Sequence, residues 1–145
     1  KKLFKFKRPY VLVPMCLDFY HHGHANILSK AKKYGNIILG IVSDEGIKSY
    51  KKKYPINNYK NRRKIALTLK NINYIFKIKS PKEFSNIAKK YMFDYFVHGD
   101  DWKTGPQAPY RKKLISTMKK WGGKVIDVPY TKKISSTKIK SKLKI

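Results

Sequence analysis

A doubly wound α/β fold on a five-stranded parallel sheet is what this chain predicts, on three observations. Short β-branched or aromatic runs recur along it, segments of helical apolar spacing separate them, and the chemically suggestive residues fall just after the runs. The runs are residues 10–13, 36–42, 74–77, 94–97 and 124–128. Between the first two, residues 24–33 place Ile27, Leu28 and Ala31 on one face, and residues 59–70 then do the same with Ile65, Ala66 and Leu69. Pro81 opens the next helical segment, 81–91, which turns Phe84, Ile87 and Ala88 inward. Residues 109–121 carry Leu114, Ile115 and Met118 and end at Gly122-Gly123. A last short helix starts near Ser135 with a Ser or Thr cap. Right-handed crossovers cover both faces of such a sheet and leave the ligand at the carboxyl ends of its strands. Residues 21–24 follow the first run, Ser43 and Asp44 the second, residues 98–102 the fourth and residues 130–137 the fifth.

At 145 residues and with no repeat, low-complexity tract or linker, residues 1–145 read as one domain. Hydrophobic content of 41% and aromatic content of 14% exclude a disordered chain. The longest apolar stretches fall far short of the ~20 residues that a membrane helix needs. One cysteine, Cys16, excludes an internal disulfide framework and fits a reducing, cytoplasmic setting. The apolar run after Arg8 is short, meets Asp18 and lacks a small-residue cleavage site, so no signal peptide is expected.

Charge is the loudest feature, with 35 Lys+Arg against 8 Asp+Glu for a net +27. Only Arg8, Arg62, Arg63 and Arg111 are arginines, whereas phosphate-backbone and base-edge readers favour the guanidinium fork. Lysine here travels with Ile, Asn, Tyr and Phe, residues with A/T-rich codons, so genomic composition accounts for the charge as readily as a functional field does. Either origin draws in anionic ligands, more weakly as salt rises.

The segment Asp18-Phe19-Tyr20-His21-His22-Gly23-His24 lacks the G-x-G-x-x-G of a dinucleotide site and carries H-x-G-H instead. Gly23 lets backbone approach a phosphate, and a helix N-terminus favours anions. His21 and His24, three apart, can donate to one phosphoryl group and stabilise charge developing at a bridging oxygen. A structural or helix-capping histidine pair is the competing reading. A zinc site would need three or four ligands, and Cys16 is the only thiol.

H-x-G-H after a first strand resembles the signature of a nucleotidyltransferase superfamily, and later segments narrow the likeness to its cytidylyltransferases. Arg62, in Tyr59-Lys60-Asn61-Arg62-Arg63-Lys64-Ile65, is similar to the arginine near the start of the helix after strand two. His98-Gly99-Asp100-Asp101-Trp102 resembles the G-D-D-W stretch of the glycerol-3-phosphate branch, and Ile134-Ser135-Ser136-Thr137-Lys138-Ile139 resembles its I-S-[ST]-T-x-[IL] segment. Residues 97–105 (VHGDDWKTG), Trp121-Gly122-Gly123-Lys124 and Pro129-Tyr130-Thr131 look like the phosphonate-linked cytidylyltransferases, including those acting on 2-aminoethylphosphonate. The likeness runs from about Tyr10 to the end and implies a single-domain, Rossmann-like fold. Two departures stand out. Tyr130-Thr131-Lys132-Lys133 occupies the place of the glycerol-phosphate branch's R-T-E-G, and Pro14, with no N–H, sits at the first strand's end.

The resemblance implies CTP and a small anionic or zwitterionic acceptor as substrates, with Mg²⁺ bound through the CTP phosphates rather than by a dedicated metal site. His21 and His24 would stabilise the α-phosphate under attack. Lys51, in the 50–55 segment read as a flexible loop, would reach the phosphates, with Lys52 and Lys53 as rivals. Asp18 would order the loop, and Asp18, Gly23 and Arg62 would serve the nucleotide. Ser135, Ser136 and Thr137 would receive the β- and γ-phosphates. Asp100, Asp101, Trp102 and Tyr130 would form the nucleotide or acceptor pocket. A homodimer is the family expectation. An ATP-using adenylyltransferase and a basic nucleic-acid-binding module are the rival readings; intact His21, Gly23 and His24 argue against the latter.

Overall fold

The computed structural model describes residues 4–129, 131–132 and 134–145. Five strands, β1 (Tyr10–Met15), β2 (Asn36–Val42), β3 (Ile72–Ile78), β4 (Tyr95–Gly99) and β5 (Lys124–Val128), form one sheet in the order β3-β2-β1-β4-β5. All pairs are parallel. The helices are α1 (His22–Lys32), α2 (Asp44–Lys51), α3 (Tyr59–Ala66), α4 (Phe84–Tyr91), α5 (Ala108–Lys119) and α6 (Ser136–Lys142). The chain walks outward from β1 to β3, then crosses back to lay β4 on β1's free side. β1 and β4 therefore flank the switch point where a doubly wound sheet opens a crevice.

Strand alternation sorts the core into two layers. Val11, Val13 and Met15 pack with Leu28 and Ala31 of α1 and Ala66 of α3 on one face. Tyr10, Leu12 and Phe96 pack with Phe84 and Ala88 of α4 and Leu114 and Met118 of α5 on the other. The expected fold class holds, and the differences are local. β1 runs on through Pro14, opposite Gly40, to Met15. Residues 81–83 form a 3-10 turn before α4, and α3 stops at Ala66. Ile65 and Ile115, expected inward, are 40% and 39% exposed because their helices rest on the sheet through narrower stripes.

A helix replaces the loop expected after β2. α2 is capped by the Ser43 hydroxyl, which accepts from Gly46 N at 3.0 Å, and it carries Asp44 and Glu45 in its first turn. Gly46 is required there: a Cβ would collide with the Lys79 carbonyl oxygen. Lys51 is thus the last residue of a helix, and Lys52, at φ 64°, ends it.

Candidate active site

A cleft of about 340 Å³ opens at the carboxyl ends of the strands, reached by Met15 of β1, Val42 of β2 and Gly99 of β4. His21 and His24 line it, and they are also the caps of α1. His21 Nδ1 accepts from Gly23 N at 3.1 Å while His24 Nδ1 accepts from His21 N at 3.1 Å, a reciprocal capping box. An imidazole that accepts through Nδ1 keeps its proton on Nε2 when neutral, so each ring retains an Nε2–H donor. The ring centroids lie 4.0 Å apart. Gly23 keeps this geometry open, because a Cβ there would come within 2.8 Å of His21 Cε1. Capping and phosphate donation, set against each other by the sequence, are compatible in one pair of rings.

Burial, then the positive neighbours His21 and Lys51, pushes His24 down to about 4. Burial and His22 lower His21 as well. Both rings are therefore neutral N–H donors at neutral pH in the ligand-free protein. Of the three consecutive lysines, Lys51 lines the cleft and Lys52 and Lys53 do not. Ser135, Ser136 and Thr137 close the same end, at the start of α6, where the Ser135 hydroxyl caps by accepting from Lys138 N at 3.0 Å.

Asp18 lies behind the cleft and organises it. Its carboxylate accepts from Ile56 N at 3.0 Å and Asn57 N at 2.8 Å, and pairs with Lys140 of α6. Burial alone would raise this carboxyl, but those backbone N–H groups and Lys140 outweigh it and hold the group below the ordinary range. Arg62 departs from the role expected of it. Its side chain is fully buried and outside the cleft lining. Nε donates to Asn57 O at 2.9 Å, Nη1 to Cys16 O and Val42 O at 2.6 and 2.7 Å, and Nη2 to Asp44 at 2.6 Å. Arg62 thereby ties the ends of β1 and β2 to the first turn of α2.

Trp102 is likewise a packing residue, 2% exposed and stacked on His98 at 4.1 Å, with Nε1 donating to Asp127 Oδ1 at 2.6 Å. Asp101 reaches the cleft, 3.8 Å from His98 Nδ1, and Asp100 sits beside it outside the lining. Tyr130 lies outside the described residues. Several lining residues carried no sequence signal: Tyr50, whose hydroxyl meets Cys16 Sγ at 2.8 Å, and Gln107, just before α5. Asp127, outside the lining, accepts from Trp102 and also from Arg111 at 2.8 Å, and it had a signal available, as an acid inside a strand of a chain with only eight acids.

Neutral N–H donors, an amine and hydroxyls gathered at a parallel sheet's switch point suit a polyphosphate, the frame of a nucleotidyltransferase. Comparison with known families agrees: the Cytidylyltransferase-like family model matches residues 12–142. The chain belongs to that family and is an enzyme of the nucleotidyltransferase class. It is 32% identical over 124 residues to glycerol-3-phosphate cytidylyltransferase of Bacillus spizizenii, across 85% of this chain and 88% of that protein. Another relative is the probable ethanolamine-phosphate cytidylyltransferase of Schizosaccharomyces pombe, 35% identical over 91 residues, 61% of this chain and 24% of that protein. The lipopolysaccharide core biosynthesis protein of Thermoplasma volcanium shares the fold at TM-score 0.67 and 21% identity, over 86% of this chain and 98% of that one. Among the described residues no helix is long and apolar enough to cross a membrane.

Proposed function

We propose that the protein transfers a cytidylyl group from CTP to a phosphate or phosphonate oxygen of a small amine-bearing acceptor, 2-aminoethylphosphonate being the best fit. The acceptor oxygen attacks the α-phosphorus, the bond to the bridging oxygen breaks, and pyrophosphate leaves with the electron pair. The acceptor is already an anion, so no general base and no covalent enzyme intermediate are needed. Two neutral Nε2–H donors beside the Lys51 ammonium carry the reading: they hydrogen-bond charge as it grows on the phosphoryl oxygens and are preset before substrate arrives. Ser135, Ser136 and Thr137 receive the outer phosphates at the same end of the cleft. Among the described residues no group of three or more His, Cys, Asp or Glu is placed to hold a metal ion. Mg²⁺ would be held by the triphosphate's own oxygens and water and would supply charge neutralisation there.

The relatives' names divide between a polyol phosphate and an amine-bearing one. Asp101, a carboxylate in the cleft wall of a strongly basic chain, favours the amine. A pyrophosphate-release assay tests this with CTP or ATP against 2-aminoethylphosphonate, phosphocholine and glycerol 3-phosphate. CTP is expected to exceed ATP at least tenfold, about 1.4 kcal/mol in transition-state binding. Equal or better turnover with ATP removes the cytidylyl assignment, and a preference for glycerol 3-phosphate removes the amine.

A further inference from the structure

The cleft contains one side chain whose hydrogen bonding is unfinished. Gln107 lines it, and the Gln107 Oε1 atom is shielded from solvent with no hydrogen-bond partner, the one such buried side-chain atom among the described residues. The Gln107 backbone is committed, its carbonyl accepting from Tyr110 N at 3.0 Å and Arg111 N at 3.2 Å as α5 begins. A buried amide oxygen without a partner is costly, and native proteins leave few. Because Gln107 lines the cleft, a group on a bound substrate can supply the missing partner.

Position says which substrate. The layer carrying α4 and α5 lies on the opposite face of the sheet from α1. Gln107 therefore enters the cleft from the far side to His21 and His24. One turn along α5, Tyr110 shares a shallow groove with Pro81 and Ser85, which brings Gln107 to the side of the cleft lined by Pro81 and Phe84. Asp101 lines the same cleft, and its negative charge is felt by Tyr50 across it. An acceptor whose phosphoryl head faces the histidines would direct its other end toward the side of the cleft that Gln107 lines. Oε1 and a carboxylate both accept, and a chemical group rich in N–H or O–H answers both. The terminal torsion of a glutamine is broad, so a small turn of the amide brings Oε1 to a ligand.

We infer that Gln107 is a specificity-determining residue for the acceptor, taking a hydrogen bond from the donor-bearing end remote from the acceptor's phosphoryl group. This rests on cytidylyl transfer to a phosphate or phosphonate, and not on whether the donor is an amine or a hydroxyl. The test compares kcat/KM for phosphoethanolamine and glycerol 3-phosphate with that for ethyl phosphate, which has the same head and no donor, in wild type, Gln107→Leu and Gln107→Glu. Gln107→Leu is expected to cut the preference for the better donor-bearing acceptor over ethyl phosphate about tenfold or more. Its KM for CTP should be unchanged, and its ligand-free melting temperature equal to wild type or higher. Gln107→Glu, which keeps an accepting oxygen, should retain the preference. Equal losses on all acceptors, a shifted KM for CTP, or a glutamate variant as indifferent as the leucine one overturns the inference while wild-type turnover leaves the cytidylyl reading standing. Wild-type protein that releases no pyrophosphate with CTP and any of these acceptors or 2-aminoethylphosphonate overturns both.

Discussion

Replacing Arg62 by methionine separates a framework arginine from a nucleotide contact. The guanidinium, itself without solvent access, satisfies three backbone carbonyls, Cys16 O, Val42 O and Asn57 O, and pairs with Asp44, whose side chain is 29% exposed. Methionine fills similar volume but leaves those acceptors unpaired and Asp44 without its cation. Hydrogen bonds to charged groups are worth about 1.5–3 kcal/mol each, though they do not add in full, and the partly exposed Asp44 adds less than the partner of a fully buried pair would. Against a total stability of about 5–15 kcal/mol for a single domain, such a loss is a large fraction. In a chain of this length it lowers Tm by roughly 10 °C or more. Urea unfolding with a shifted midpoint and unchanged m-value, together with the thermal melt, measures the effect. Steady-state kinetics well below the melting temperature should then find the KM for CTP near wild type. A variant that melts like wild type but binds CTP poorly would refute the framework reading and restore the nucleotide role expected from the sequence.

The phosphate end gives three more expectations. His24→Ala should lower kcat by roughly 10²–10³ while the lost cap costs only about 1 kcal/mol of stability, read from turnover and a melt together; full activity would remove its catalytic part. Lys51→Ala should lower kcat less severely, while Lys52→Ala and Lys53→Ala stay near wild type, since neither lines the cleft. Stability should fall on acidification: the unfolded chain protonates His24 near 6.5 and the folded one only near 4, so the unfolded state binds more protons between those values. The effect is absent above about pH 6.5 and reaches on the order of 3 kcal/mol near pH 4, and His24→Gln should flatten that slope in urea melts at stepped pH.

The sheet was legible because its central strands β1 and β2 are buried apolar runs and the outer strands, though interrupted by Asn73, Lys77 and Asp127, keep β-branched and aromatic residues, and the helices because their punctuation is ordinary. α2 was not: eight residues with an internal glycine and a single buried aliphatic, Ile47, show no helical stripe, and its capping serine and acidic first turn are the only signs. Ile65 and Ile115 were placed inward because periodicity tells which residues share a face but not how wide the buried stripe is. Among the site residues, spacing alone brought His21, Gly23 and His24 together, since a capping box is local. Arg62 and Trp102 could not be sorted into cleft or framework from sequence, because their partners Val42, Asp44 and Asp127 are distant in the chain and met only through the sheet. Gln107 gave no sign at all; an unpaired atom is a property of the packed state.

The Asp18 carboxylate joins the turn after the first strand to the loop before α3 and to the last helix through Lys140, so its partners are drawn from nearly the whole length of the chain. Contacts of such long sequence separation form late, after the entropy of closing the intervening loops has been met. The hydroxyls at the start of α6 enter the cleft only with that helix, whereas the histidines are set as soon as the first strand and helix join. Half of the phosphate-binding end is thus built from local contacts and the other half from contacts remote in the chain. Loosening the last helix would therefore take away the hydroxyl half of the site while the histidine half stays in place.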